Sequence, residues 1–224
     1  MKRSEINGLI RRAEAFFQEQ CFALPRWAHW TAEEWKGRRQ SCEEIVENML
    51  GWDLTDFGSG DYAKRGLMLF TVRNGNVERD AKPYAEKIMI VGEEQETPLH
   101  FHWHKMEDIT NRGGGNLVIE LFGADDNEKL SDSPVTVKID SIPRTVEAGG
   151  KVVLEPGESI CLEQRVYHRF FGEAGKGTVL VGEVSQVNDD NRDNRFYEEV
   201  GRFPEIEEDE APYRLLVNDY ADYL

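Results

Sequence analysis

Apolar residues near the start of the chain recur with the spacing of a helix. These apolar residues have charged residues between them, and they are Ile6, Leu9, Ile10, Ala13, Phe16 and Phe17. This pattern predicts an amphipathic helix of about four turns, which Ser4 can cap. Residues 31–34 match a capping box that starts a second, short helix, and Gly37 can end it. A third apolar stripe ends at Gly51, so we expect residues 1–51 to be helical.

After Gly51 the pattern changes to short apolar runs with turn signals between them. Asn74-Gly75 predicts a tight turn, and glycine-rich segments separate several later runs. The runs recur at intervals of roughly ten residues, and they cover residues 66–72, 87–92, 99–103, 117–122, 135–139, 151–154, 159–162, 166–171 and 178–184. Many short strands with such turns predict an antiparallel β-barrel instead of alternating βαβ units.

The order of these patterns predicts a mainly β chain with one domain over residues 1–224. We expect the helical segment at 1–51 to pack on a barrel formed by residues 66–185. A polar loop and a C-terminal tail then occupy residues 186–224, and the tail regains enough apolar residues to pack back as a helix.

The composition of the chain argues against several classes of partner. The chain has 43 acidic and 27 basic residues, which give it a net charge of −16. Such a surface repels the phosphates of nucleic acids and anionic lipids, so we expect neither as a partner. The three cysteines are far apart, and the N-terminus lacks the apolar run of a signal peptide. These features predict a cytoplasmic protein without a membrane span.

Histidines are concentrated in one short segment of the chain. Three of the five are His100, His102 and His104, and Glu107 follows them. Alternate side chains of a strand share a face, so the three imidazoles can point inward together. His168, on a distant apolar run, can supply a further nitrogen ligand. Imidazoles with one carboxylate suit a divalent cation, and Mn²⁺, Fe²⁺, Co²⁺, Ni²⁺ and Zn²⁺ all fit this ligand set.

Two segments resemble the sequence motifs of the cupin superfamily. The first motif, a glycine, His-x-His, a glutamate and a later glycine, is matched by Gly92, His100, His102, Glu107 and Gly113. The second, a proline and a glycine before a histidine on the next strand, is matched by Pro156, Gly157 and His168. The gaps before His100 and His168 are longer than is usual, and the terminal asparagine is missing. The resemblance implies a jelly-roll barrel with the metal on His100, His102, Glu107 and His168. It leaves His104 either to support a ligand from behind or to face the substrate.

Four further stretches resemble the D-lyxose isomerase family within that superfamily: residues 97–108, 111–115, 182–185 and 188–190. The resemblance covers nearly the whole chain, including the N-terminal helices. It implies a Mn²⁺-dependent aldose–ketose isomerase that interconverts D-lyxose and D-xylulose, with D-mannose and D-fructose as a second pair that it allows. It also implies a homodimer.

Isomerisation of this kind needs a base near the sugar carbon and positive charge near the oxygens. Glu183 lies in the last apolar run, where its carboxylate either lines the barrel as a base or faces solvent. Lys105 follows the ligand segment and either stabilises an oxyanion or lies on the surface. We predict both as catalytic residues of a proton transfer through a cis-enediol, with sugar O1 and O2 on the metal. A metal-assisted hydride shift is the alternative.

The polar segment 186–195 is predicted to close over the mouth of the barrel. Its Asp189, Asp190, Asp193 and Arg195 can form hydrogen bonds with sugar hydroxyls. Two other classes of cupin fit the same ligands: a dioxygenase that uses Fe(II), and a sugar-binding cupin that is not an enzyme. Oxygen uptake would indicate the dioxygenase, and tight pentose binding without turnover would indicate the binding protein.

Overall fold

Antiparallel strands make up most of the regular structure, and helices flank them at both ends of the chain. The computed structural model describes residues 1–187, 190–201 and 205–224, without the side chains of residues 190 and 191. The described α-helices are α1 (Arg3–Glu19), α2 (Ala32–Trp35), α3 (Glu43–Glu47), α4 (Asp190–Asp193) and α5 (Tyr220–Tyr223). Short 3₁₀ helices cover Arg26–His29, Arg39–Cys42 and Val217–Asp219. None of the described helices is long and apolar enough to cross a membrane.

The strands of the described part of the chain belong to two antiparallel sheets. They are β1 (Gly51–Thr55), β2 (Leu67–Arg73), β3 (Tyr84–Val91), β4 (His100–His102), β5 (Glu107–Gly114), β6 (Leu117–Ala124), β7 (Leu130–Ser131), β8 (Val135–Ile139), β9 (Ile142–Val146), β10 (Gly150–Leu154), β11 (Ser159–Leu162), β12 (Val166–Gly172), β13 (Val179–Gln186) and β14 (Asn194–Phe196). The large sheet has the order β1-β2-β3-β13-β5-β11-β8-β9, and the small sheet has the order β10-β6-β12-β4-β14 with β7 beside β6.

The predicted cupin-type barrel with packed N-terminal helices is confirmed. Most predicted strands lie within one to three residues of the observed bounds, and two of them, β8 and β11, have the predicted ends. Sequence reasoning missed β5, because its residues 107–114 include charged, amide and glycine positions that resemble a loop. The prediction of a tight turn at Asn74-Gly75 was wrong. The longer segment 74–83 joins β2 to β3, and its turn lies at residues 77–79.

Apolar residues fill the space between the sheets and the space beneath the N-terminal helix. The inner cluster includes Ile109, Ile119 and Leu121, all at most 1% exposed. The second cluster lies between α1 and the outer face of the large sheet, where Ile10 and Phe70 are fully buried. The helical spacing of the first apolar pattern therefore serves to cover the back of the sheet.

The N-terminus of α1 is held by the C-terminal segment of the chain, not by a cap from Ser4. Ser4 lies inside the helix, and both its backbone N–H and its hydroxyl donate to the carboxylate of Asp209, at 2.9 and 2.7 Å. One residue earlier, the buried guanidinium of Arg3 donates to both carboxylate oxygens of Asp219, at 2.9 and 2.8 Å. The tail, which was predicted to pack back as a helix, has short helices at Val217–Asp219 and Tyr220–Tyr223, and charges join the two ends of the chain.

We expect the substitution Arg3→Met to destabilise the protein strongly, because it leaves the carboxylate of Asp219 buried without its cation. Removing one partner of a buried ion pair costs about 3 kcal/mol or more. The measurement is the free energy of unfolding from urea denaturation, with Arg12→Met at an exposed position of the same helix as the control. Equal midpoints for the two variants would contradict the role given to Arg3.

Candidate active site

Three imidazoles converge where β4 and β12 lie side by side in the small sheet. His168 of β12 is the direct register partner of His100 of β4. His102 shares a face with His100 because alternate residues of a strand point the same way, and Phe101 between them is fully buried on the other face. The centroid of the His100 ring lies 4.3 Å from that of the His168 ring and 5.1 Å from that of the His102 ring. One possible ligand atom from each ring lies within 4.8 Å of the other two.

Backbone carbonyls orient two of the three rings. Nδ1 of His100 lies 2.8 Å from the carbonyl oxygen of Pro98, and Nδ1 of His168 lies 3.0 Å from that of Val166. A carbonyl only accepts hydrogen bonds, so the hydrogen of each ring is on Nδ1 and the lone pair is on Nε2. A hydrogen bond from the second ring nitrogen to a carbonyl is typical of metal-binding histidines.

Glu107 brings a carboxylate from the large sheet to the same point. Its Oε1 lies 3.0 Å from Nε2 of His168 and 3.4 Å from Nε2 of His102. Among the described residues, these two Nε2 atoms and Nδ1 of His102 have no hydrogen-bond partner of acceptable geometry. A lone pair of His168 thus faces an oxygen of the carboxylate, and two such acceptors are stabilised by a cation between them. The four residues therefore fit a divalent metal ion.

The protonation states of the cluster also suit a metal. Burial lowers the pKa of His100 well below its usual value, and the neighbouring His168 and His102 lower it further. Burial also lowers the pKa of His102. Burial opposes ionisation of Glu107, but the ammonium group of Lys105 and the ring of His102 hold the pKa of this carboxyl well below its usual value. Neutral imidazoles and an ionised carboxylate are the forms that bind metal.

A chain of alternating charges leads away from the imidazoles across the large sheet. Nζ of Lys105 lies 2.7 Å from Oε2 of Glu107 and 3.0 Å from Oε1 of Glu183. Nζ of Lys87, the register partner of Glu183, lies 3.3 Å from the same Oε1, and the hydroxyl of Ser185 donates to it at 3.0 Å. Both predicted catalytic residues are buried, with Lys105 3% and Glu183 5% exposed. The alternatives that placed either residue on the surface were wrong.

The imidazoles, Glu107, Lys105 and Glu183 all line one cavity of about 330 Å³. Its further polar walls carry Asn48, Asp53, Thr55, Thr71, Asn74, Lys87 and Asn194. Phe57 and Phe196 form an aromatic part of the wall, and the ring of Phe196 lies 5.3 Å from that of His100. Sequence reasoning missed these residues, although the alternation along residues 194–196 was a signal that Asn194 and Phe196 share a face.

Several predicted sugar contacts lie elsewhere or outside the described residues. The strand ends at His102 and the chain bends, so His104 is exposed and does not line the cavity. Arg195 is the register partner of Phe101, which puts it on the far face of β14, and its Nε donates to Glu128 at 3.0 Å. Asp193 is buried and bound to backbone. Asp189 and the side chain of Asp190 lie outside the described residues.

The architecture is similar to that of solved sugar isomerases. The structure of Cellulomonas parahominis L-ribose isomerase with no ligand matches 92% of this chain and 98% of its own, with a TM-score of 0.62 and 16% identity. The Acinetobacter sp. DL28 L-ribose isomerase in complex with L-ribose matches 89% and 93%, with a TM-score of 0.58 and 16% identity. At this identity the likeness shows the fold. The shared fold places the chain in the class of proteins built on a cupin-type barrel.

The chain belongs to the D-lyxose isomerase family, whose model matches residues 1–220. It is 48% identical over 227 residues to the D-lyxose/D-mannose isomerase of Serratia proteamaculans, and the alignment covers both chains in full. It is 47% identical over 226 residues, again over both full chains, to the enzyme of the same name from Escherichia coli O157:H7. The predicted family is thus confirmed, and the chain is a sugar isomerase. The family contradicts the two alternatives, a dioxygenase and a cupin that is not an enzyme.

We expect His168→Ala to reduce the affinity for Mn²⁺ by more than about 100-fold, because it removes a buried ligand from the facing strand. The matched control is His104→Ala, which removes an exposed imidazole two residues beyond the cluster and leaves the affinity unchanged. Isothermal titration of the metal-free proteins with Mn²⁺ measures both. Equal affinities for the two variants would contradict the assignment of His168.

Proposed function

We propose that the protein isomerises D-lyxose to D-xylulose, and D-mannose to D-fructose, with Mn²⁺ on His100, His102, Glu107 and His168. The observation that carries the proposal is Lys105, whose ammonium group contacts a carboxylate of the imidazole cluster and a second carboxylate, Glu183, in the same cavity. A metal position, a base and a cation are thus close together. The names of the two relatives support this choice of sugars. We also propose a homodimeric, cytoplasmic enzyme.

The reaction moves the carbonyl of the open-chain sugar from C1 to C2. A divalent ion, when bound, stabilises the negative charge that develops on the two oxygens as the proton leaves C2. The imidazole cluster lines the cavity, so the sugar lies with C1 and C2 beside the imidazoles and its remaining hydroxyls toward the polar wall.

Glu183 takes the proton from C2 and returns it to C1. Its carboxylate lines the cavity, and Lys105 and Lys87 both approach Oε1, at 3.0 and 3.3 Å. These contacts hold the carboxylate in place beside the cavity. One carboxylate that serves both carbons in turn corresponds to a cis-enediol intermediate, because both proton positions then lie on the same face. The hydroxyl proton of O2 passes to O1 in the same reaction, and the ammonium group of Lys105 stabilises the negative charge on these two sugar oxygens while it does so.

Asn194 and the polar wall hold the rest of the sugar. Oδ1 of Asn194 is buried, lines the cavity opposite His102, and has no hydrogen-bond partner among the described residues. A sugar hydroxyl would satisfy this acceptor. Asp53 and Thr55 of β1 also line the cavity, and they can contact the hydroxyls farther from the carbonyl.

We expect the Mn²⁺-loaded enzyme to convert D-lyxose and D-mannose to ketoses with a kcat/KM at least tenfold above that for other aldopentoses and aldohexoses. Ketose formation across a panel of sugars measures this preference. In tritiated water, the ketose acquires tritium at C1 because the proton on Glu183 exchanges with solvent. Absence of turnover on every aldose would contradict the proposed function, and complete retention of a C2 label would contradict the proton transfer and favour a hydride shift.

The substitution Glu183→Gln should lower kcat by about 10²- to 10⁴-fold, because the amide cannot accept the proton from C2. Lys105→Met should lower kcat by about 10²-fold or more, because it removes the cation beside the developing charge. Glu163→Gln, at an exposed position, is the control and retains activity. Measurement of the metal content of each variant checks that Mn²⁺ is still bound. A Glu183→Gln variant within threefold of the parent kcat would rule out this carboxylate as the base.

A further inference from the structure

We infer that Asp193 is a positioning residue that holds the turn between β4 and β5 and thereby aims Lys105 into the cavity. The effect on turnover rests on the proposed function, whereas the effect on the turn itself does not. Asp193 belongs to the polar segment 186–195, whose acidic residues were predicted to bind the sugar. The contacts of Asp193 indicate a different task.

The carboxylate of Asp193 binds two consecutive backbone amides. Its Oδ1 accepts the N–H of His104 at 2.8 Å, and its Oδ2 accepts the N–H of Lys105 at 2.9 Å. Its own carbonyl oxygen accepts the N–H of Trp103 at 3.3 Å. Asp193 is 4% exposed, so these bonds are shielded from water. A carboxylate that accepts charge-assisted hydrogen bonds in a buried setting holds a backbone firmly.

The turn that Asp193 binds is short and lies between two metal ligands. Only four residues separate His102 at the end of β4 from Glu107 at the start of β5. The N–H of the next residue, Met106, donates to the side chain of Gln186 at 3.0 Å, and Gln186 donates from its own backbone N–H to the carbonyl of Met106. Every backbone N–H from residue 103 to residue 106 thus donates to Asp193 or Gln186.

Lys105 depends on this turn because it is not part of a strand. Strand alternation alone would carry the side chain of Lys105 away from that of His104, and the bend at residues 103–104 changes its direction. Its ammonium group then lies between Glu107 and Glu183 at 2.7 and 3.0 Å. A shift of about 1 Å in a catalytic group can cost about 100-fold in rate, so the anchor of the turn affects turnover.

The positions of the imidazole rings depend much less on Asp193 than that of Lys105 does. His100 and His168 are paired across neighbouring strands, and backbone carbonyls of Pro98 and Val166 orient their rings. Loss of the Asp193 carboxylate therefore affects Lys105 while the histidine cluster keeps its geometry. This difference separates a positioning role from a general loss of structure.

The test compares Asp193→Asn and Asp193→Ala with the control Asp126→Asn, which changes an exposed aspartate. Asp193→Asn keeps one acceptor oxygen and puts an amide N–H₂ against the second N–H, and Asp193→Ala removes both acceptors. We expect kcat to fall by about 10- to 100-fold in the alanine variant and less in the asparagine variant. We expect KM for D-lyxose within threefold of the parent value and an unchanged Mn²⁺ stoichiometry.

Hydrogen exchange monitored by mass spectrometry tests the turn without reference to activity. The peptide that spans residues 103–106 should exchange faster in Asp193→Ala than in the parent protein, whereas peptides from β6 and β12 should not change. Unchanged exchange of this peptide, or a kcat equal to that of the parent, would overturn the inference. A rise in KM with unchanged kcat would indicate sugar binding instead, and joint loss of Mn²⁺ and activity would indicate a general structural role. A parent enzyme inactive on every sugar would refute the proposed function but leave the exchange test valid.

Discussion

A buried carboxylate between the two sheets is the constraint on which the site depends. Glu107 belongs to the large sheet, whereas His102 and His168, within 3.4 Å of its Oε1, belong to the small sheet. A charge buried at this depth is stable only when cations compensate it. Lys105 supplies one cation at 2.7 Å from Oε2, and a divalent ion on the imidazoles would supply the second. The interior of the barrel is therefore joined by charge at this end and by apolar packing elsewhere.

The alternation of lysine and glutamate extends this compensation across the large sheet. Lys87, Glu183, Lys105 and Glu107 contact one another in that order, so each inner charge has a neighbour of opposite sign on both sides. Removal of one member leaves its neighbours buried with an uncompensated charge, which affects stability as well as chemistry. Such a chain also holds its side chains in place before the sugar binds, and that reduces the reorganisation needed in the reaction.

The sequence predicted the histidine cluster because its members lie on strands with regular alternation. His100 and His102 share a face by parity, and the position of His168 in an apolar run placed it inside the barrel. Sequence periodicity cannot show what happens where a strand ends, and both His104 and Lys105 lie just past such an end. Parity assigned His104 to the interior and Lys105 to the exterior, whereas the bend reverses both. Pairing of separate strands, such as Lys87 with Glu183, depends on long-range register, which a single sequence does not contain.

The polar segment after the last long strand illustrates the same limit from the opposite direction. Its composition indicates a solvated loop, yet residues 194–196 form a strand against β4. Once that strand exists, alternation decides the role of each residue: Asn194 and Phe196 line the cavity, and Arg195 turns outward to Glu128. Composition identified a segment that is close to the site, but only the register separates the residues that face the cavity from those that support the fold. Asp193, one of the acidic residues predicted to bind sugar hydroxyls, is instead bound to backbone amides, because a turn without strand partners needs acceptors for its N–H groups.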